Sequence, residues 1–470
     1  MTLFYLQNHM KRISFYVLLT LLTFFRVFPQ QGFIHETSQE YVWPTDKNVL
    51  EKLDRWQDLK FGVLFHWGLY SVPGIVESWS ICSEDEDWIP RDSTIAYDEY
   101  KKWYWGLIDR FNPTQFNPEQ WAQATKDGGM KYMIFTTKHH DGFNLFDTKQ
   151  TNFSITHGAF KDNPHADVTK YILEAFRNKG FMVGTYFSKP DWHSEYYWWP
   201  YFATPTRNVN YKIERHPDRW QKFQKFTANQ ILELMTNYGH IDILWLDGGW
   251  VRAPRQDIKM DDIIAQARQS QPGLIAVDRT VHGANENYLT PERSIPEKQL
   301  PYPWESCITL GTDWGWTPNA KFKTADEVIS LLVEVTAKGG NLLLGIGPTP
   351  EGIIQPEVVD RLTKIGHWLK MNGEAIYNTR ITPDYRSGNV WFTQSKDQKT
   401  RYAIFIPAKD EAPKSFIEWE NNLPMKGTKM RLLQNGKAVK WQQHGNFIRV
   451  YPDKKTMNER SILAFSFQIK

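Results

Sequence analysis

Four apolar residues, Ile243-Leu244-Trp245-Leu246, run into a single carboxylate, Asp247, and Gly248-Gly249-Trp250 follow at once. A short run of this kind suits a strand buried on both faces of a parallel sheet. An aspartate at its end is not there for packing, because an unpaired charge is costly to bury; it either caps the next helix or faces a ligand. The two glycines permit a sharp turn and a close approach by that ligand. Hydrolysis of a glycosidic bond calls for two such carboxyl groups, one attacking the anomeric carbon or activating water, the other protonating the leaving oxygen. Asp247 is the candidate nucleophile, and Trp245, two residues earlier, points to the same side of the strand. For the proton donor there are two candidates, Glu292 in Thr290-Pro291-Glu292-Arg293 and Glu305 in Pro303-Trp304-Glu305-Ser306. Glu305 has the more apolar surroundings, which raise a carboxyl pKa, and is preferred; its bland role is to partner a cation of the site. The bland role of Glu292 is a solvated charge paired with Arg293.

The pair His139-His140 raises the question of a metal. Zinc draws three or four protein ligands, adjacent histidines on a strand point to opposite faces, and no third ligand stands in register. No metal and no cofactor are therefore expected, and neutral imidazoles that hydrogen-bond sugar hydroxyls are the better reading. Arg279 either pairs with Asp278 or Asp247 or donates to a substituent of the ring, and Tyr186 either packs in the mouth of the fold or faces the substrate.

These residues need a frame. Apolar runs at 60–68, 132–138, 181–188, 243–247, 274–279, 302–309 and 341–348 read as strands, and amphipathic stretches at 118–127, 168–178, 220–238 and 325–337 as helices. Strands alternating with helices imply a parallel sheet. Seven of them over this length predict an α/β fold, a (β/α)8-like TIM barrel with a degenerate eighth unit. His66, His139, His140, Tyr186, Asp247, Arg279 and Glu305 then fall at the C-terminal ends of strands, the face on which barrels carry their sites. Beyond residue 380 the texture changes to short strands at 390–393, 402–406, 429–433, 447–451 and 462–467, the pattern of a β-sandwich. The expected division is a targeting segment at 1–31, a barrel at 32–378 and a sandwich at 379–470.

A chain of 470 residues is long enough for one large and one smaller domain. Its net charge of +3 is spread along the chain with no basic block, so nucleic acid is not an expected partner. Cys82 and Cys307 are either two buried thiols or one bridge. Aromatic residues make up 15% of the chain, and Trp67, Trp79, Trp250, Trp314 and Trp316 fall in loop-like stretches, where flat rings favour a carbohydrate site. Lys11-Arg12 ahead of an apolar run at 13–25 read as an export signal, with Met1 or Met10 as the start. Phe28-Pro29-Gln30-Gln31 is not a clean cleavage site, which leaves an uncleaved anchor as the alternative. The run is shorter than a bilayer span, so a periplasmic or secreted protein without stable membrane association is expected.

The set Phe65-His66-Trp67-Gly68, Lys138-His139-His140-Asp141-Gly142-Phe143, Leu244-Trp245-Leu246-Asp247-Gly248-Gly249-Trp250, Asp278-Arg279 and Asn341-Leu342-Leu343-Leu344-Gly345-Ile346-Gly347-Pro348 resembles glycoside hydrolase family 29, the α-L-fucosidases, over roughly residues 35–375. The resemblance implies an exo-acting retaining enzyme that forms a covalent fucosyl intermediate on Asp247 and takes fucosylated glycans as substrates. It carries fucose-binding roles onto His66, Glu77, Trp79, His139, His140, Tyr186, Trp245, Arg279 and Trp316. It leaves the acid/base between Glu305, whose context resembles bacterial members, and Glu292. Glu77-Ser78-Trp79 has one residue more than the Glu-Trp of many members. Two other readings are a non-catalytic carbohydrate-binding protein on a hydrolase scaffold and a barrel glycosidase for another sugar.

Overall fold

Continuous apolar runs build the centre of the molecule. The structure, a computed structural model, describes residues 41–82, 91, 94–204, 206–408 and 414–469. Its parallel strands are β1 (Phe61–Phe65), β2 (Tyr132–Lys138), β3 (Met182–Ser188), β4 (Ile243–Asp247), β5 (Ile275–Asp278), β6 (Glu305–Thr309) and β7 (Asn341–Ile346), in the order β5-β4-β3-β2-β1-β7-β6. Almost every residue in them is buried, because side chains of one parity fill the barrel and those of the other meet the surrounding helices. Tyr132, Ile134, Tyr186, Ile243, Trp245, Tyr288 and Cys307 belong to the inner cluster. A larger outer cluster joins the strands to the helices.

The eighth position is degenerate, as the strand count predicts, and its form is specific. Between β5 and β6 lies an irregular segment, 285–293. Asn287 N donates to Ala276 O, Leu289 N to Pro303 O, Cys307 N to Pro291 O and Arg293 N to Cys307 O. Isolated bridges pair Val277 with Glu286, Leu289 with Trp304 and Glu292 with Cys307. Pro291 and Pro303 have no N–H to give, so these contacts close the cylinder without becoming a regular ladder.

The outer layer comprises α1 (Lys47–Leu59), α2 (Tyr97–Trp105), α3 (Pro118–Asp127), α4 (Val168–Asn178), α5 (Pro217–Asn237), α6 (Met260–Ser270), α7 (Ala325–Ala337) and α8 (Pro356–Asn372). The helices legible in the sequence have clear starts. Asn117 caps α3 ahead of Pro118, Asp167 caps α4, and Thr324 with Glu327 forms a capping box on α7. Four helices, α1, α2, α6 and α8, were not anticipated.

Past α8 the chain forms antiparallel sheets of six and three strands that share a core of Phe392, Trp419, Met430, Ile448, Phe465 and Phe467. The first strand of the sandwich is β8 (Thr379–Arg380). The five expected strands are present, and Thr379–Arg380, Arg386–Ser387, Ile417–Glu420 and Lys440–His444 add four more. Residues 38–470 form one compact unit: Trp368 Nε1 donates to Ile462 O across the junction, and Arg380 and Lys396 pair with Asp54 and Asp58 of α1. Cys82 and Cys307 are both free and buried. The expected targeting segment lies outside the described residues.

Candidate active site

Five strand ends converge on one mouth. His66 follows β1, His139 and His140 follow β2, Tyr186 lies near the end of β3, Asp247 ends β4 and Arg279 follows β5. The next helix after Asp247 starts at Met260, which removes the helix-cap reading of this aspartate. Its carboxylate is held from two sides: Arg279 Nη1 donates to Oδ1 at 2.9 Å and the Tyr186 hydroxyl to Oδ2 at 2.7 Å. His140 Nε2 stands 3.8 Å from Oδ2. Burial would raise its pKa, but Arg279, His140 and the Tyr186 hydroxyl outweigh burial and hold the carboxyl well below the usual carboxylate range. Asp247 is thus an ionised group on a rigid strand end, as a nucleophile must be.

The second arm of Arg279 reaches another carboxylate. Nη2 donates to Glu292 Oε2 at 2.8 Å, Nε donates to Thr290 Oγ1 at 3.0 Å, and the guanidinium lies over Trp245 with 4.3 Å to the ring centroid. Trp314 Nε1 donates to the other Glu292 oxygen at 3.0 Å. The Glu292 side chain keeps 31% of its surface exposed. Asp278, by contrast, pairs with Lys189, so Arg279 serves Asp247 and Glu292 rather than its sequence neighbour.

Around this bridge stand neutral imidazoles. Burial lowers the pKa of His66 to about 3, of His140 to about 4, and of His139 well below its ordinary value. His66 lies 5.2 Å from the Tyr186 ring and 5.6 Å from Trp314, centroid to centroid. The buried Nδ1 atoms of His66 and His140 have no hydrogen-bond partner among the described residues. Glu77, also buried, is pushed up to about 8 by desolvation and by the charges of Glu292 and Asp247. Trp79 and Trp250 flank His140 at 4.9 and 5.2 Å.

Several expectations need correction. Glu305 does not sit at the C-terminal end of its strand. It is the first residue of β6, in register with the first residue of β7, because Pro303 delays the start of the strand. Its side chain is inside the barrel, fully buried, accepting from the Tyr132 hydroxyl at 2.7 Å and from Trp245 Nε1 at 3.1 Å. Burial does push its pKa up, to about 7, but at a place away from the mouth. His139 and His140 do not face opposite ways: β2 ends at Lys138, strand alternation ends with it, and the two rings lie 4.3 Å apart on one side. Residues of ligand type also stand closer together than the sequence suggests: His66, Glu77 and His139 offer ligand-type atoms within 4.8 Å of one another, the one such group among the described residues, and His140 is not part of it. The two glycines after Asp247 serve protein packing. Gly248 has φ +82, and a Cβ there would come within 2.3 Å of Pro190; at Gly249 it would come within 1.9 Å of the Thr280 hydroxyl. Trp67 packs in the outer core against Phe111, Phe116 and Trp121. Trp316 is half-buried against the turn at Gly74, whereas Trp314, read only as a loop aromatic, is the one bonded to Glu292. Its signal was the apolar ring two residues away in Trp314-Gly315-Trp316.

The known proteins this chain resembles agree with that geometry. The sequence signature of the α-L-fucosidase family matches residues 30–374. Plasma α-L-fucosidase of Homo sapiens is 30% identical over 426 residues, covering 85% of this chain and 86% of that protein. The Rattus norvegicus plasma enzyme is 32% identical over 385 residues, covering 76% and 79%. Among solved structures, α-L-fucosidase isoenzyme 1 from Paenibacillus thiaminolyticus superposes with a TM-score of 0.74 at 26% identity, covering 90% of this chain and all of that one. The Thermotoga maritima α-fucosidase in complex with fucose gives 0.70 at 26% identity, covering 88% and 96%. With a strand-end carboxylate, a bridging arginine and a buried histidine wall in place, the chain belongs to the α-L-fucosidase family, glycoside hydrolase family 29.

Proposed function

We propose that this chain is an exported, exo-acting α-L-fucosidase that releases terminal α-L-fucose from glycans with retention of configuration. The observation that carries the proposal is the Arg279 bridge between Asp247 and Glu292. One planar guanidinium holds two carboxylates only at short range. Retaining enzymes place their carboxyl groups about 5 Å apart, inverting ones about 6.5–9.5 Å, so the bridge favours retention. Asp247 attacks the anomeric carbon and forms a fucosyl-enzyme ester. Glu292, at the mouth, gives its proton to the leaving oxygen and then takes one from the water that hydrolyses the ester. Glu305 lies in the interior, held by Tyr132 and Trp245, and this burial away from the mouth favours Glu292 as the acid/base. The sugar is gripped by His66, Glu77, His139, His140 and Tyr186, with Trp79, Trp245 and Trp316 contributing to its walls. Most of these side chains are nearly fully buried, which suits a dead-end pocket for one terminal residue. The fucose complex of the Thermotoga maritima neighbour supports fucose as that residue. Support for export is the charged-then-apolar N-terminal pattern.

Hydrolysis of an aryl α-L-fucoside followed by proton NMR tests the reading. α-L-Fucose as the first product, with β-L-fucose appearing only by mutarotation, is expected. β-L-Fucose first would overturn retention, and cleavage of a different aryl glycoside in its place would overturn the sugar.

A further inference from the structure

His139 is gripped by two consecutive residues of one tight turn. Glu77 adopts φ 44 and ψ −158, a conformation that side-chain-bearing residues rarely take and that clusters at functional sites. It starts a short 3-10 turn, Ser78–Ile81. Ser78 is fully buried, and its Oγ meets His139 Nδ1 at 2.5 Å. Glu77 Oε2 faces the other nitrogen of the same ring, Nε2, at 3.9 Å. That separation is too long for a direct hydrogen bond, and it leaves room for one hydroxyl oxygen to touch both groups. The ring is otherwise held by stacking, parallel to Tyr186 at 5.9 Å.

A neutral imidazole carries one N–H, and which nitrogen has it is set by the partner at the other. Burial keeps His139 neutral. We infer that Ser78 is a positioning residue for sugar recognition: its hydroxyl donates to Nδ1, which fixes the plane of His139 and leaves the ring N–H on Nε2, so that Nε2 and Glu77 together take one hydroxyl of the bound sugar. The inference rests on the fucosidase reading and adds a residue to it. The unusual backbone at Glu77 then has a purpose, because only a sharply turned chain lets neighbouring side chains reach opposite edges of one ring.

The test compares the full chain with Ser78→Ala and Ser78→Thr. Ser78→Ala should weaken L-fucose binding in calorimetry and raise KM for an aryl α-L-fucoside about tenfold, with kcat changed less than about threefold. Ser78→Thr, which keeps the hydroxyl, should return KM to within about threefold of wild type. In ¹⁵N spectra of histidine-labelled protein, the resonances lost in His139→Gln should show one tautomer in wild type and a mixture in Ser78→Ala. Wild-type affinity in Ser78→Ala, or an unchanged His139 tautomer, overturns the inference. If wild type neither binds nor cleaves fucosides, the fucosidase reading falls, while the tautomer comparison still reads the role of Ser78.

Discussion

Glu292 and Glu305 lie on adjoining segments that bridge to one another, and the barrel treats them in opposite ways. Glu292 stands at the mouth, partly exposed, between Arg279 and Trp314. Glu305 lies within the inner cluster, locked by Tyr132 and Trp245. Apolar surroundings raise a carboxyl pKa, and by that criterion alone Glu305 is the better acid. The same burial takes it out of reach. A proton donor has to combine a suitable pKa with access, and in Glu305 the two requirements compete, because the burial that raises its pKa also sets it apart from the mouth.

The contrast can be broken by mutation. The largest effect belongs to the group both readings share: Asp247→Ala should lower kcat for an aryl α-L-fucoside by about 10⁴-fold or more, with an unchanged circular dichroism spectrum. Next, Glu292→Ala should lose about 10²–10⁴-fold, and azide should restore turnover by attacking the fucosyl-enzyme without needing a base. Azide rescue of Glu305→Ala and not of Glu292→Ala would reverse the assignment. Glu305→Ala should act first on stability, losing about 3 kcal/mol in urea unfolding, since it opens a cavity and strands the Tyr132 and Trp245 donors.

Glu305 also gives a pH signature. Its folded pKa, raised to about 7 by burial, lies above the ordinary carboxyl value, so the folded chain binds this proton more tightly than the unfolded one. The stability it contributes is complete at acid pH and is lost as pH rises through about 7. Glu305→Gln cannot ionise, and its Tm relative to wild type should therefore climb between about pH 5 and 8; a flat difference would place the charge elsewhere. The smallest expected effect sharpens the role of the mouth: Trp314→Phe removes the hydrogen bond to Glu292 and should lower kcat/KM about three- to tenfold.

Much of this was legible because period and punctuation agreed. β2, α3, α4 and α7 have the bounds that apolar runs and caps predict, and Asp247 stands out because a charge closes a buried strand. α1 shows no clean apolar period because its buried face includes Lys52, which pairs with Asp242 at 3.4 Å in tertiary structure alone. In α8 the signal was present, with Val358, Leu362, Ile365 and Leu369 on one buried face. His139 and His140 were misplaced because strand alternation was carried one turn too far. Glu305 was misplaced for want of weight on Pro303. The partners of Arg279 come from two separate chain segments, β4 and the stretch at 290–292, and only the closed barrel brings them together.

The seam between β5 and β6 bears on how such a pocket changes over time. Asp247 rides on a regular strand, where gaining or losing one residue would flip every neighbour to the other face. Glu292 rides on a stretch fastened by isolated bridges, and stretches of that type absorb insertions and deletions without moving the scaffold. In the proposed mechanism bond-breaking chemistry is therefore anchored, while the side that meets the departing group is free to drift in length and sequence. A lineage could retune which glycans it trims by rewriting the seam alone.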